Sequence, residues 1–213
     1  MRCFVAIDMV PDIGHRIAEI QKKLSKEVKL VEPEHLHFTL RFLGEISDEK
    51  ARQVEQVLRS VEYPRFDIEL DKIGGFPSPK KARIIWLGIR HEQDARGWNE
   101  KHSNCVRWNI LPSTQMNECS SCVADKEQPL SAMNNLVIMI EEKLTSIGIP
   151  KADKEFSAHL TIARAKQPVN IDSLKDMLEN SHVSMVVDSF SLKQSTLTAK
   201  GPVYKDLVRI GLV

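Results

Sequence analysis

Long apolar runs are missing from this chain. The most hydrophobic stretches, Leu136-Val137-Ile138-Met139-Ile140 and Ser184-Met185-Val186-Val187, fall far short of the roughly 20 residues that span a bilayer, so no transmembrane helix is expected. The apolar run Cys3 to Ile7 is cut by Asp8 and is too short for a secretory h-region, so a cytoplasmic location is expected. Cysteine is sparse, with four in 213 residues (Cys3, Cys105, Cys119 and Cys122). That excludes a disulfide scaffold and fits a reducing compartment. Charge of one sign is also lacking: 30 Lys and Arg against 29 Asp and Glu leave +1. No global field is available to coat long nucleic acid, and any such contact must be local. Nine Gly and ten Pro exclude collagen-like and low-complexity chains. What remains is a folded chain long enough for one compact domain or two small lobes.

The elements alternate. Cys3 to Asp8 is predicted as a buried strand, and Pro11-Asp12 opens a helix with Ile13, Ile17, Ile20 and Leu24 at helical spacing. His37 to Leu43 has period two, with Phe38, Leu40 and Phe42 on one parity and His37, Thr39 and Arg41 on the other. Ser47-Asp48-Glu49 starts a second helix through Ala51, Val54 and Leu58. Phe66 to Ile73 and Ala82 to Ile89 read as a hairpin around a Gly74-Gly75-Phe76-Pro77 turn. Helical spacing resumes at Met133, Leu136, Val137, Ile140 and Leu144, closed by Gly148 and Pro150. His159 to Ala163 is a short strand, Ile171, Leu174, Met177 and Leu178 mark another helix, and Val183 to Leu192 and Tyr204 to Ile210 are closing strands. Between them, residues 91 to about 131 show no lasting period, and Pro112 and Pro129 break what starts.

One tetrapeptide type occurs twice, each time on a predicted strand: His37-Phe38-Thr39-Leu40 and His159-Leu160-Thr161-Ile162. Shuffling the chain would give His-x-Thr about 0.2 times, so two occurrences are a signal. Residues i and i+2 of a strand share a side, so each strand offers an imidazole and a hydroxyl together while the alternate residues enter the core. One imidazole can serve as base and a second, protonated, as acid near neutral pH. The hydroxyls can donate to the oxygens of an anion that gains charge in the transition state. This suits phosphodiester cleavage by acid–base catalysis with no cofactor, metal or covalent intermediate. His35 shares the parity of His37 but lacks a Thr two places on, and is assigned to structure or cleft lining.

With these motifs the chain resembles the 2H phosphoesterase superfamily, in its RNA 2′,3′-cyclic phosphodiesterase (2′-5′ RNA ligase) branch. Met1 to Asp8, His37 to Glu45, Gly74 to Pro77, Arg83 to Gly88, His159 to Arg164 and the tail from Leu192 to Tyr204 carry the likeness, over residues 1–90 and 133–213. The resemblance implies an α+β, bilobal fold: two pseudo-twofold-related lobes, each an antiparallel sheet with helices, and an active-site cleft between. Residues 1–213 would form one such domain with an atypical insertion at about 91–131. It further implies hydrolysis of RNA 2′,3′-cyclic phosphate ends to 2′-phosphates, with 2′-5′ ligation as the reverse. His37 would be the proton donor, His159 the acceptor, and Thr39 and Thr161 the holders of the phosphate oxygens. Phe42 and Arg164, each five residues after a motif His, would stack on the terminal base. Strict alternation points both away from the cleft, so that role requires a bulge, strong twist or strand end. Arg41 has the parity of the cleft and is the competing phosphate ligand.

Within the insertion, His102, Cys105, Cys119 and Cys122 have the spacing of a structural zinc site, against the alternative of a surface loop with incidental thiols. Lys80, Lys81 and Arg83 could meet RNA phosphates or simply be solvated. The partner expected is an RNA end, tRNA fragments included, met by a monomer without a membrane. Three alternatives stand: a 2H enzyme for small cyclic nucleotides, an RNA-binding module using the insertion, and a catalytic metal held by the two His residues.

Overall fold

The computed structural model describes residues 1–24, 27–90, 129–174, 183–199 and 201–213. His102, Cys105, Cys119 and Cys122 lie outside the described residues, as does most of the helix expected from Ile171.

Among the described residues nine strands form one sheet: β1 (Arg2–Asp8), β2 (Val28–Leu30), β3 (His37–Glu45), β4 (Phe66–Phe76), β5 (Ala82–Ile89), β6 (His159–Val169), β7 (Val183–Val187), β8 (Ser189–Thr198) and β9 (Gly201–Gly211). Their order is β7-β4-β5-β6-β3-β1-β8-β9, with β2 also on β6, and every pairing is antiparallel. At its middle, β3 and β6 share one paired position, Phe38 with Leu160. This narrow seam divides the sheet into β3-β1-β8-β9 and β6-β5-β4-β7. The halves of the sheet are not the halves of the sequence. β1 and β3 pair into one set with β8 and β9, and β4 and β5 into the other with β6 and β7.

Three α-helices among the described residues join it in an α+β fold: α1 (Pro11–Gln21), α2 (Asp48–Leu58) and α3 (Pro129–Ser146). In α1 the stripe Ile13, Ile17 and Ile20 is buried, and the helix packs against β6 and β7. Ser47 caps α2, its hydroxyl accepting from the Lys50 N–H at 3.1 Å and satisfying a backbone donor that the helix leaves open. Ala51, Val54 and Leu58 then face inward, and α2 packs on α3, which meets β3 and β4. Pro129 does not break α3 but is its first residue, a position whose missing N–H has no helical partner to lose.

Two expectations shift. Gly74 and Gly75 do not turn the chain; they lie inside β4, opposite Trp86 and Ile85. A Cβ on Gly74 would come within 2.3 Å of the Trp86 ring, so the glycine is where the indole lies flat on the sheet. The closing region holds three strands rather than two, with β8 and β9 joined as a hairpin at Gly201 (φ +134°). None of the described helices is long and apolar enough to cross a membrane.

Candidate active site

Both motif histidines are the first residue of their strand, and the strands meet at the seam. Phe38 and Leu160 are both fully buried there. Burying each contributes about 1.5–3 kcal/mol, and a slip of one residue would put imidazoles where they sit, which fixes the register. Alternation then puts His37, Thr39, His159 and Thr161 on the opposite face. The antiparallel sense sets His37 on the Thr161 side and Thr39 on the His159 side. All four are half-buried.

The two imidazoles are held alike. His37 Nδ1 lies 2.7 Å from the His35 carbonyl, and His159 Nδ1 lies 2.7 Å from the Ser157 carbonyl. A carbonyl only accepts, so each Nδ1 carries the proton and each Nε2 is left for a ligand. Neutral, such an Nε2 accepts a proton; charged, it donates one. Burial lowers the pKa of His37 below the ordinary histidine value, and the positive charges of Lys193 and Arg164 push the same way. Its bond to the His35 carbonyl and the negative charge of Asp8 oppose the shift.

The neighbouring strands serve as rulers for the residues beyond each motif. Along β1, the alternate residues Asp8, Ala6 and Phe4 pair with His37, Thr39 and Phe42. Along β5, Gly88, Trp86 and Ile84 pair with His159, Thr161 and Arg164. A regular strand would step by two; here the second step is three in both halves. The extra residue, a β-bulge, lies at the last motif position, Leu40 in one strand and Ile162 in the other. It reverses the facing of the residues just beyond it, up to the next register shift. Phe42 is thereby turned onto the histidine face, 62% exposed, and Arg164 is exposed on that face as well. Phe42 lies 6.1 Å from the Phe4 ring, which in turn lies 5.1 Å from His37.

The same bulge corrects the expectation for Arg41. Its parity in an unbroken strand aims it at the cleft, but the structure turns it back toward α3. Its Nε lies 2.6 Å from Glu141 Oε1, and the guanidinium donates to the Pro150 and Phe42 carbonyls. Arg41 is held as a tie to the helix layer. The Ile162 bulge has its own support. Its carbonyl accepts from the Val31 N–H at 2.9 Å and from Gln21 Nε2 at 2.8 Å, and Gln21 is itself buried and also donates to Val31 O.

Several residues around the histidines escape sequence reasoning. Tyr204 meets His37 and His35 edge-on at 5.2 and 5.4 Å, and Phe4 at 5.3 Å. Phe76 and Trp86 do the equivalent for His159 at 5.3 and 6.4 Å. Each imidazole thus stands against a pair of aromatic rings. Beside His37, the nearly buried Lys193 ammonium lies 2.9 Å from Asp8 and also binds Asp206. No motif announces these residues, because they come together only through strand pairing, of β1, β3, β8 and β9 around His37 and of β4, β5 and β6 around His159.

The family model described as LigT like phosphoesterase matches residues 7–86 and again 125–204, one match for each histidine motif. Among curated proteins, the RNA 2′,3′-cyclic phosphodiesterase of Archaeoglobus fulgidus is 35% identical over 211 residues, covering 97% of this chain and 98% of that one. The protein of the same name from Methanothermobacter thermautotrophicus is 30% identical over 216 residues, covering 97% and 96%. Among solved structures, LigT of E. coli in its apo form superposes with a TM-score of 0.68 at 23% identity, covering 100% of this chain and 98% of that one.

Proposed function

This chain belongs to the LigT like phosphoesterase family, and from that premise we propose that it opens RNA 2′,3′-cyclic phosphate ends to 2′-phosphates by two-histidine acid–base catalysis. The observation that carries the reading is the matched pair of imidazoles. Each has Nδ1 tied to the carbonyl two residues back, so each keeps Nε2 for the substrate. Each also has a threonine hydroxyl two residues on, along the same face.

In the forward direction His159 Nε2 takes a proton from water as the water oxygen bonds to phosphorus. The bond from phosphorus to O3′ breaks, and His37 Nε2 gives its proton to that oxygen. Thr39 and Thr161 donate to the non-bridging oxygens, where charge accumulates. One proton has been gained by His159 and one lost by His37, and exchange with solvent restores both. With a 5′-hydroxyl in place of water, the same groups perform 2′-5′ ligation. In this reading Phe42 and Arg164, which the two bulges turn onto this face, hold the terminal base between a ring and a guanidinium plane.

A second assignment exchanges the two roles. The lowered pKa of His37 favours it as the neutral partner in the free enzyme, hence as the base. Substrate binding works against this preference, because a phosphodiester anion between the imidazoles favours their charged forms.

The test is turnover of a short RNA with a 2′,3′-cyclic end in excess chelator, by wild type, His37→Ala and His159→Ala. A 2′-phosphate from wild type, with each variant slowed by about 10²–10⁴-fold, is the expected result. Activity lost to chelator and restored by metal overturns the acid–base scheme. A folded wild type that opens nucleoside 2′,3′-cyclic phosphates but no RNA end moves the substrate class to small cyclic nucleotides.

A further inference from the structure

The short strand β2 crosses the end of β6 just beyond the second motif, with Val28, Lys29 and Leu30 paired to Ala165, Arg164 and Ala163. At the middle rung two cations stand directly opposite each other. Residues paired in this way project to one face, so the Lys29 ammonium and the Arg164 guanidinium share the face that carries the histidines. Arg164 is near enough to His37 for its charge to disfavour the imidazolium. Like charges so placed destabilise a sheet. One step further out, the register continued sets Glu27 against Lys166, opposite signs. Lys29 and Arg164 are both exposed, and neither has a carboxylate partner among the described residues.

Lys29 is also positioned from its far side. A Cβ on Gly201, at the start of β9, would lie 3.8 Å from Lys29 Nζ. Three residues on, Tyr204 packs against His35 and His37. The ammonium therefore sits where β2 and the β8–β9 hairpin flank the histidine face, on the same rung as the arginine.

We propose that Lys29 binds the phosphate that joins the terminal nucleotide to the one before it, and so distinguishes an RNA chain from a free cyclic nucleotide. This rests on the function proposed above: if Arg164 covers the terminal base, the cation next to it meets the next negative charge of the strand. An anion at this rung removes the repulsion that the free protein carries.

The experiment compares Lys29→Ala and Lys29→Glu with wild type on two substrates, a short RNA with a 2′,3′-cyclic end and a nucleoside 2′,3′-cyclic phosphate. The expected result for Lys29→Ala is a KM for RNA raised about 5–10-fold at unchanged kcat, with the nucleoside kinetics unaltered. Lys29→Glu raises it further. The slope of log kcat/KM for RNA against log salt becomes shallower by about 0.7, the value for one lost phosphate contact on a single strand. Equal losses on both substrates, or none on RNA, overturn the proposal. Titration with the two 2′-phosphate products gives the same comparison without turnover. Selective weakening of RNA product binding by Lys29→Ala supports the contact even if wild type opens neither substrate, an outcome that would sink only the proposed reaction.

Discussion

Gly74→Ala inserts a methyl group where the Trp86 indole lies. The added carbon would stand 2.3, 2.5 and 2.7 Å from three ring atoms, whereas carbon atoms pack at about 3.5–4.0 Å. The indole must therefore retreat by roughly 1 Å or more, or the strands must part. Alanine is otherwise no worse than glycine inside a strand of ordinary backbone conformation, so the steric conflict decides the sign. Overpacking of this kind costs about 1–3 kcal/mol, and at about 2–4 °C per kcal/mol for a chain of this size the melting temperature falls by roughly 2–12 °C. Trp86 and Phe76 both stand against His159, and displacing a catalytic group by about 1 Å can cost 10²-fold. Initial rates on cyclic-ended RNA should drop by about 10–100-fold in kcat/KM. Thermal unfolding and initial rates are measured for Gly74→Ala, Trp86→Leu and the double variant. In the double variant the smaller side chain removes the conflict, so adding Gly74→Ala to Trp86→Leu costs almost nothing further. Wild-type stability and rate in Gly74→Ala, or losses that simply add in the double variant, would show that the glycine is not required by the indole.

Asp8 stabilises the charged form of His37, so Asp8→Asn lowers its pKa further, while Lys193→Met raises it. With His37 as proton donor, rate is lost as pH rises through that pKa. Asp8→Asn then moves the alkaline limb of the kcat/KM profile to lower pH, and Lys193→Met moves it up. Movement of the acidic limb instead would show that His37 is the base. Arg41→Ala leaves Glu141 unpaired in a site where both side chains are mostly buried (13% and 16% exposed). It should destabilise the fold by about 1–3 kcal/mol in urea unfolding and leave the KM for RNA within twofold of wild type. Arg164→Ala should do the opposite, and a raised KM in Arg41→Ala would restore it as a substrate ligand.

Much of this was legible in the linear chain, since local chemistry wrote it. Ser47 announces α2, the spacing of Ile13, Ile17 and Ile20 announces α1, and the two His-x-Thr strands carry their own alternation of core and cleft residues. β2 was not legible, because three residues are too few to show a period. Nor was the role of Gly74, which resembles a turn residue until Trp86 is laid across it. Arg41 was misplaced and Phe42 left in conflict with its parity for a single reason: a β-bulge after Thr39 has no compositional signature, and Leu40 is an ordinary core residue in either geometry.

The linear order of residues sets which groups are available for chemistry, two imidazoles and two hydroxyls at a spacing that puts each pair on one side of a strand. Which other residues join them depends on long-range strand pairing. The pairings of β3 with β1 and of β6 with β5 are long-range, and they absorb one extra residue in each motif strand. That residue turns Phe42 and Arg164 toward the histidines and Arg41 away. A strand's own period cannot encode this, because a bulge is defined against the partner strand, and the partner is chosen by the fold.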